Sequence, residues 1–198
     1  MGTKIVLKSG KDQSVRRYHP WIFSGAIKKI YGNPSEGDIV TVFDNKDTFL
    51  AVGHYQPGTI AVRILSFEDT EPDVDFFRSR IKSAIDFRKS IGLIGSNVTS
   101  VFRLIHAEGD NLPGLIADFY NGVVVMQMHS VGMYRIRKEI AAIICELMGS
   151  DVSAVYDRSE STIPFKSGIS GVNEFLYGNS GPVVVTENGF RFRIESSL

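Results

Sequence analysis

Three side chains invite a chemical reading first. His106, Glu108 and Asp110 stand at alternate positions, so an extended strand would turn all three to one face, with Asp118 close in sequence. Such a set could hold a metal ion or act as an acid–base pair. Gly109 predicts that the strand ends before Asp110, which then shapes a turn. A small metal-dependent hydrolase is therefore an alternative reading, not the leading one. The His-Ala-Glu of 106–108 matches half of the zinc deaminase signature, but no Pro-Cys-x-x-Cys follows it. Cys145 sits in an apolar helical pattern, Ile143-Ile144-Cys145-Glu146-Leu147, which points to packing rather than reactivity. Gly168-Ile-Ser-Gly171 has the letters of a KH-domain loop without its flanking helices. There is neither a G-x-G-x-x-G after a strand nor a Walker A pattern, so no cofactor-binding, catalytic or metal-binding residue is expected in this chain.

A second constellation is basic. Residues 1–30 hold Lys4, Lys8, Lys11, Arg16, Arg17, Lys28 and Lys29 against the single acid Asp12, a net charge of +6 in a chain whose overall net charge is zero. Asymmetry of this kind points to a polyanionic partner. Arg16 and Arg17 lead the candidates, because a guanidinium forks onto phosphate, with Lys8 and Lys11 as supporting point charges. Trp21 and Phe23 stand beside them and could stack on bases, although anchoring the local fold is the plainer role. Arg103 and Arg158 are secondary candidates farther along the chain.

These residues need elements to position them. Composition is that of an ordinary globular protein, with 43% hydrophobic and 22% charged residues in 198. No apolar run approaches the length of a membrane span, so no membrane partner is expected. The N-terminus has no apolar signal core, and one cysteine permits no internal disulfide; both fit a reducing, cytoplasmic setting. The pattern predicts short strands at Lys4–Leu7, Ile39–Phe43, Phe49–His54 and Ile60–Leu65, which suggests a small β-barrel. His19-Pro20-Trp21-Ile22-Phe23 reads as a helix start, with proline at the first helical position. The acidic stretch Glu68–Asp73 marks a boundary between domains 1–70 and 71–198. The second domain should be a mixed α/β sandwich, giving an α+β protein. It opens with a helix over 73–91, on which Val74, Phe77, Ile81, Ala84 and Ile91 share a face and Arg88 lies elsewhere. At its centre, Phe102–Met128 reads as strand, tight turn, strand, Asn121-Gly122 turn and strand; Asn-Gly between apolar runs is a strong hairpin signal. A helix over 131–148, a strand at Val152–Tyr156, a polar loop Arg158–Gly171 and a hairpin over 183–194 complete it.

Five stretches carry a resemblance. Lys8-Ser-Gly-Lys11 with Arg17-Tyr-His-Pro-Trp-Ile-Phe-Ser-Gly-Ala-Ile27, and Gly53-His-Tyr-Gln-Pro-Gly-Thr-Ile-Ala-Val-Arg63, resemble the N-terminal PUA domain of the class I S-adenosylmethionine-dependent 23S ribosomal RNA cytosine-5 methyltransferases. Arg103–Tyr120 resembles the central domain of that family, and Glu187-Asn-Gly-Phe-Arg-Phe192 the hairpin leading into its Rossmann-like catalytic domain. The resemblance spans essentially the whole chain. It implies ribosomal RNA as partner, the first domain as an RNA-binding module and a homodimer. It also implies S-adenosylmethionine for the full-length enzyme. Cys145 lies outside the family's catalytic motif. The chain thus reads as the non-catalytic, RNA-positioning N-terminal half of such an enzyme, truncated before the catalytic domain and inactive alone. A stand-alone RNA-binding adaptor is the alternative.

Overall fold

The computed structural model describes residues 3–164 and 168–195. The chain opens with β1 (Thr3–Leu7), the one-turn helix α1 (Gln13–Arg16), β2 (Trp21–Phe23) and β3 (Ile27–Tyr31). Three longer strands follow, β4 (Ile39–Phe43), β5 (Phe49–Tyr55) and β6 (Ile60–Ser66). All six join one sheet in the order β2-β6-β5-β4-β1-β3. The central β5 and β6 are apolar and buried almost throughout, whereas the edge strand β3 exposes Lys28, Lys29 and Tyr31. The sheet curls around Ile5, Leu7, Ile22, Val40, Val42 and Val62, which form its core with Val15 of α1. No ladder joins β2 to β3 among the described residues, so the expected barrel is a half-barrel with two open edges.

The His19–Phe23 helix start is overturned. The helical turn lies earlier, at Gln13–Arg16, and Trp21–Phe23 is an edge strand paired antiparallel with β6, Trp21 opposite Arg63. Proline at position 20 favoured a helix locally, but the β-prone Trp-Ile-Phe found a strand partner some forty residues away.

The remainder is a two-layer α/β arrangement. It comprises α2 (Val74–Ser90), β7 (Val101–His106), β8 (Leu115–Tyr120), β9 (Val123–Met128), α3 (Val131–Arg135), α4 (Arg137–Met148), β10 (Ala154–Arg158), β11 (Asn173–Tyr177) and the hairpin β12 (Val183–Glu187) with β13 (Phe190–Ile194). The second sheet runs β11-β10-β9-β8-β7, with β9 and β10 parallel across the α3–α4 crossover. Asn121 and Gly122 both take positive φ, as a two-residue type I′ hairpin requires. Asp73 caps α2, its carboxylate accepting from the Phe76 N–H at 2.8 Å. Ile81 and Ile85 of α2 and Ile140 and Ile144 of α4 pack with Leu104, Val124 and Met126 in one core. Fully burying each such side chain stabilises by about 1.5–3 kcal/mol.

Two details of the helices differ from the sequence reading. The 131–148 helix breaks at Ile136 into α3 and α4. Arg88 faces inward, while Val74 and Ile91, at the ends of the α2 stripe, are half exposed. Arg88 Nη1 and Nη2 donate to Asp110 at 2.6 and 2.8 Å, and Nε donates to the Arg103 carbonyl. Part of the Arg158–Gly171 loop, residues 165–167, lies outside the described residues.

Candidate nucleic-acid interface

The His106–Glu108–Asp110 set does not converge. β7 ends at His106, and residues 107–110 coil into a 3-10 turn. Asp110 turns back to Arg88 and accepts the His106 N–H at 2.6 Å. Glu108 turns toward the first sheet, where it accepts the Trp21 indole N–H at 2.7 Å and an Arg63 N–H at 3.2 Å. No group of three metal-type side chains could hold an ion among the described residues. The metal-site reading fails because the turn sends the two carboxylates to opposite partners. Trp21 thus anchors one half of the molecule on the other.

That contact belongs to a seam. Gly37 and Gly132 meet backbone to backbone: a Cβ on Gly37 would lie 2.9 Å from the Gly132 nitrogen. A Cβ on Gly132 would fall 2.3 Å from the His54 ring, so only glycine fits there. His54 is buried against this contact, and its Nδ1 has no hydrogen-bond partner among the described residues. Desolvation, with the nearby Arg135 charge, pushes its pKa down to about 4. Arg135 bridges the seam to Asp38 at 2.8 Å. His129 is likewise shifted down, chiefly by burial.

The basic candidates lie at the α1 corner and differ in how they are used. Lys8, at the end of β1, donates to the Gly25 carbonyl at 2.9 Å. Arg16 is held between two acids, its Nε 2.5 Å from Asp12 and its Nη2 2.7 Å from Asp44. Asp44 is itself fixed, accepting the Thr48 and Lys46 backbone N–H groups, and these bonds hold its pKa below the usual carboxylate value. Lys11 and Arg17 are exposed and, among the described residues, their side chains have no partner. The corner therefore presents two uncommitted cations, not the matched arginine pair that the sequence suggested.

Arg103 and Arg158 lie on the same face of the second sheet, opposite α2 and α4, but on β7 and β10 with two strands between them. Cross-strand register places Arg103 opposite Asp118, and the two form a two-pronged pair at 2.9 and 3.2 Å. Arg158 ends β10, exposed and without a partner among the described residues. Both lie close enough to Tyr120 for their charges to act on its hydroxyl, although burial dominates and raises that pKa. Cys145 is half-buried against the helical core, and burial raises its thiol pKa, the opposite of an activated nucleophile.

Sequence reasoning missed Tyr18 and Arg80. Tyr18 is 73% exposed with φ +62°, and Arg80 lies between the two halves. The signal for Tyr18 was present: it directly follows Arg17 at the end of the α1 turn, where a left-handed residue is common.

Residues 5–67 match the family described as a PUA-like domain, which coincides with the first sheet. Over 203 residues the chain is 36% identical to a "Ribosomal RNA large subunit methyltransferase I" from Pseudoalteromonas translucida, covering 98% of this chain and 49% of that protein. A protein of the same name from Alteromonas mediterranea is 37% identical over 198 residues, again with 98% and 49% covered. Among solved structures, a Streptococcus mutans protein provisionally described as a SAM-dependent methyltransferase superposes with a TM-score of 0.80 at 21% identity, covering 98% of this chain and 48% of that one. This likeness shows the fold. The chain spans about half the length of the curated relatives it matches. It is thus similar along nearly its whole length to one half of ribosomal RNA large-subunit methyltransferases, and its residues 5–67 match a PUA-like domain.

Proposed function

We propose that this chain is the RNA-binding, substrate-positioning half of an S-adenosylmethionine-dependent methyltransferase that acts on cytosine C5 of large-subunit ribosomal RNA. In this reading residues 1–70 grip RNA and residues 71–198 set the grip relative to a catalytic domain. The observation that carries it is the α1 corner: among the described residues the side chains of Lys11 and Arg17 stand unpaired on the PUA-like half, in a segment of net charge +6. Exposed cations without internal partners are available to replace the counterions of a phosphate backbone. The seam supports the positioning role, because a glycine–glycine contact flanked by ion pairs fixes the angle between the halves.

S-adenosylmethionine would supply the methyl group in such an enzyme. The described residues offer it no glycine-rich turn between a strand and a helix, so this chain is given no step in methyl transfer. Its residues bind and orient. The test is titration of the chain with unmodified 23S ribosomal RNA fragments over a series of salt concentrations. Affinity should fall steeply and linearly in log–log form. Affinity that is absent or insensitive to salt would refute the reading.

A further inference from the structure

Between the two halves, beside the α1 corner, lies a cleft of about 340 Å³ whose lining includes Tyr18, Phe67, Arg80, Glu108, Asn111 and Pro113. The Tyr18 ring meets Phe67 edge-on, with centroids 5.1 Å apart, and most of it stays in solvent. Arg80 comes from α2, its guanidinium 5.1 Å from the Phe76 ring centre. Among the described residues no carboxylate pairs with it. Glu108, an acid of the cleft, is already engaged by Arg63 and Trp21. Glu68 also lines the cleft, exposed and with no ion pair among the described residues, so the uncommitted charges there are one carboxylate, Glu68, and one cation, Arg80, and it is Arg80 that a phosphate could meet.

The backbone at Tyr18 is a second observation. The Tyr18 N–H donates to the Val15 carbonyl at 2.9 Å and the His19 N–H to the Ser14 carbonyl at 3.0 Å. That is a Schellman closure of α1, with Tyr18 in the left-handed position that glycine usually fills. A bulky side chain is strained there. A strained residue that presents an exposed aromatic ring to a cleft points to binding.

We propose that this cleft takes one nucleotide of single-stranded RNA, the base stacked on Tyr18 and a phosphate held by Arg80. The proposal rests on the RNA-binding reading above and deepens it: one RNA segment would touch both halves at once. Clefts between structural units are common ligand sites, and unpaired bases are commonly taken up on aromatic faces beside cations.

The test uses the whole chain with two probes at roughly 50 mM salt, where phosphate contacts are strong: fluorescent decauridylate and a single-stranded decamer carrying 2-aminopurine. Binding of wild type should quench the 2-aminopurine. Tyr18→Gly should weaken binding about fivefold to a hundredfold, the range of one lost base stack, and remove the quench. Its melting temperature should be unchanged or higher, because glycine suits the left-handed position. Tyr18→Phe should bind like wild type. Arg80→Gln should weaken binding and lower the salt slope by about 1. If wild type binds RNA and both Tyr18→Gly and Arg80→Gln bind equally well, the cleft proposal falls and the RNA-binding reading stands. If wild type binds neither probe nor ribosomal RNA fragments, both fall.

Discussion

The seam and the α1 corner use charge in opposite ways. At the seam, Asp38 meets Arg135, and Glu108 meets Arg63 and Trp21. The turn that bears Glu108 is pinned in turn by the buried Arg88–Asp110 pair. At the corner, Arg16 is locked between two acids and Lys8 is tied to the Gly25 carbonyl, while among the described residues the side chains of Lys11 and Arg17 stay open. Charge that is satisfied internally holds the two halves at a fixed angle. Charge left unsatisfied at the surface is what a polyanion can use. On the proposed reading, seam residues are stability residues and corner residues binding residues, and each variant below sharpens or breaks that division.

The largest effect is expected at Asp110. Asp110→Ala leaves the Arg88 guanidinium buried without a counter-charge, and breaking a buried pair costs about 3–5 kcal/mol. Thermal denaturation should show a drop of roughly 2–4 °C per kcal/mol for a chain of this size. A melting temperature within a degree of wild type would mean that the pair does not pin the turn.

Next comes His54. Its folded pKa of about 4 lies below the ordinary histidine value, so the unfolded chain binds the proton more readily. The stabilisation is therefore complete above about pH 6.5 and is lost as pH falls toward 4, by about 3 kcal/mol at most. Urea denaturation at a series of pH values should show this decline, and His54→Gln should flatten it. An unchanged profile in His54→Gln would remove His54 from the account.

These two predictions also show what could be read in the sequence. Asn121-Gly122, the α2 stripe, and the succession of short strands before residue 66 were legible, because each is set by neighbours in sequence. Arg88 was assigned to the solvent face, because its core-facing role depends on Asp110, 22 positions on. Trp21 was read as part of a helix, because its strand partner near Arg63 and its acceptor Glu108 are both distant. At the candidate site, the basic segment was visible as composition. The split between Arg16 and Arg17 was not, because it depends on Asp44 being brought alongside α1 by β4. Tyr18 went unnoticed because an exposed tyrosine in a turn carries no weight until its φ angle is known.

A smaller effect is expected at Cys145. Its half-buried place against the helical core means that Cys145→Ala should cost about 1 kcal/mol or less, with RNA affinity unchanged. A large loss of affinity in that variant would place RNA contacts on α4, against the division drawn here.

The most direct test compares two variants of the corner. Lys11→Ala/Arg17→Ala removes the uncommitted cations, and Arg16→Ala removes the locked one. Binding of a ribosomal RNA fragment is measured by fluorescence anisotropy across a salt series. The double variant should bind more weakly than wild type, with the log–log salt slope reduced by about 1–2 units. Arg16→Ala should keep the wild-type slope. If the double variant kept the wild-type affinity and slope, or if Arg16→Ala alone abolished binding, the division between locked and available charge would be wrong.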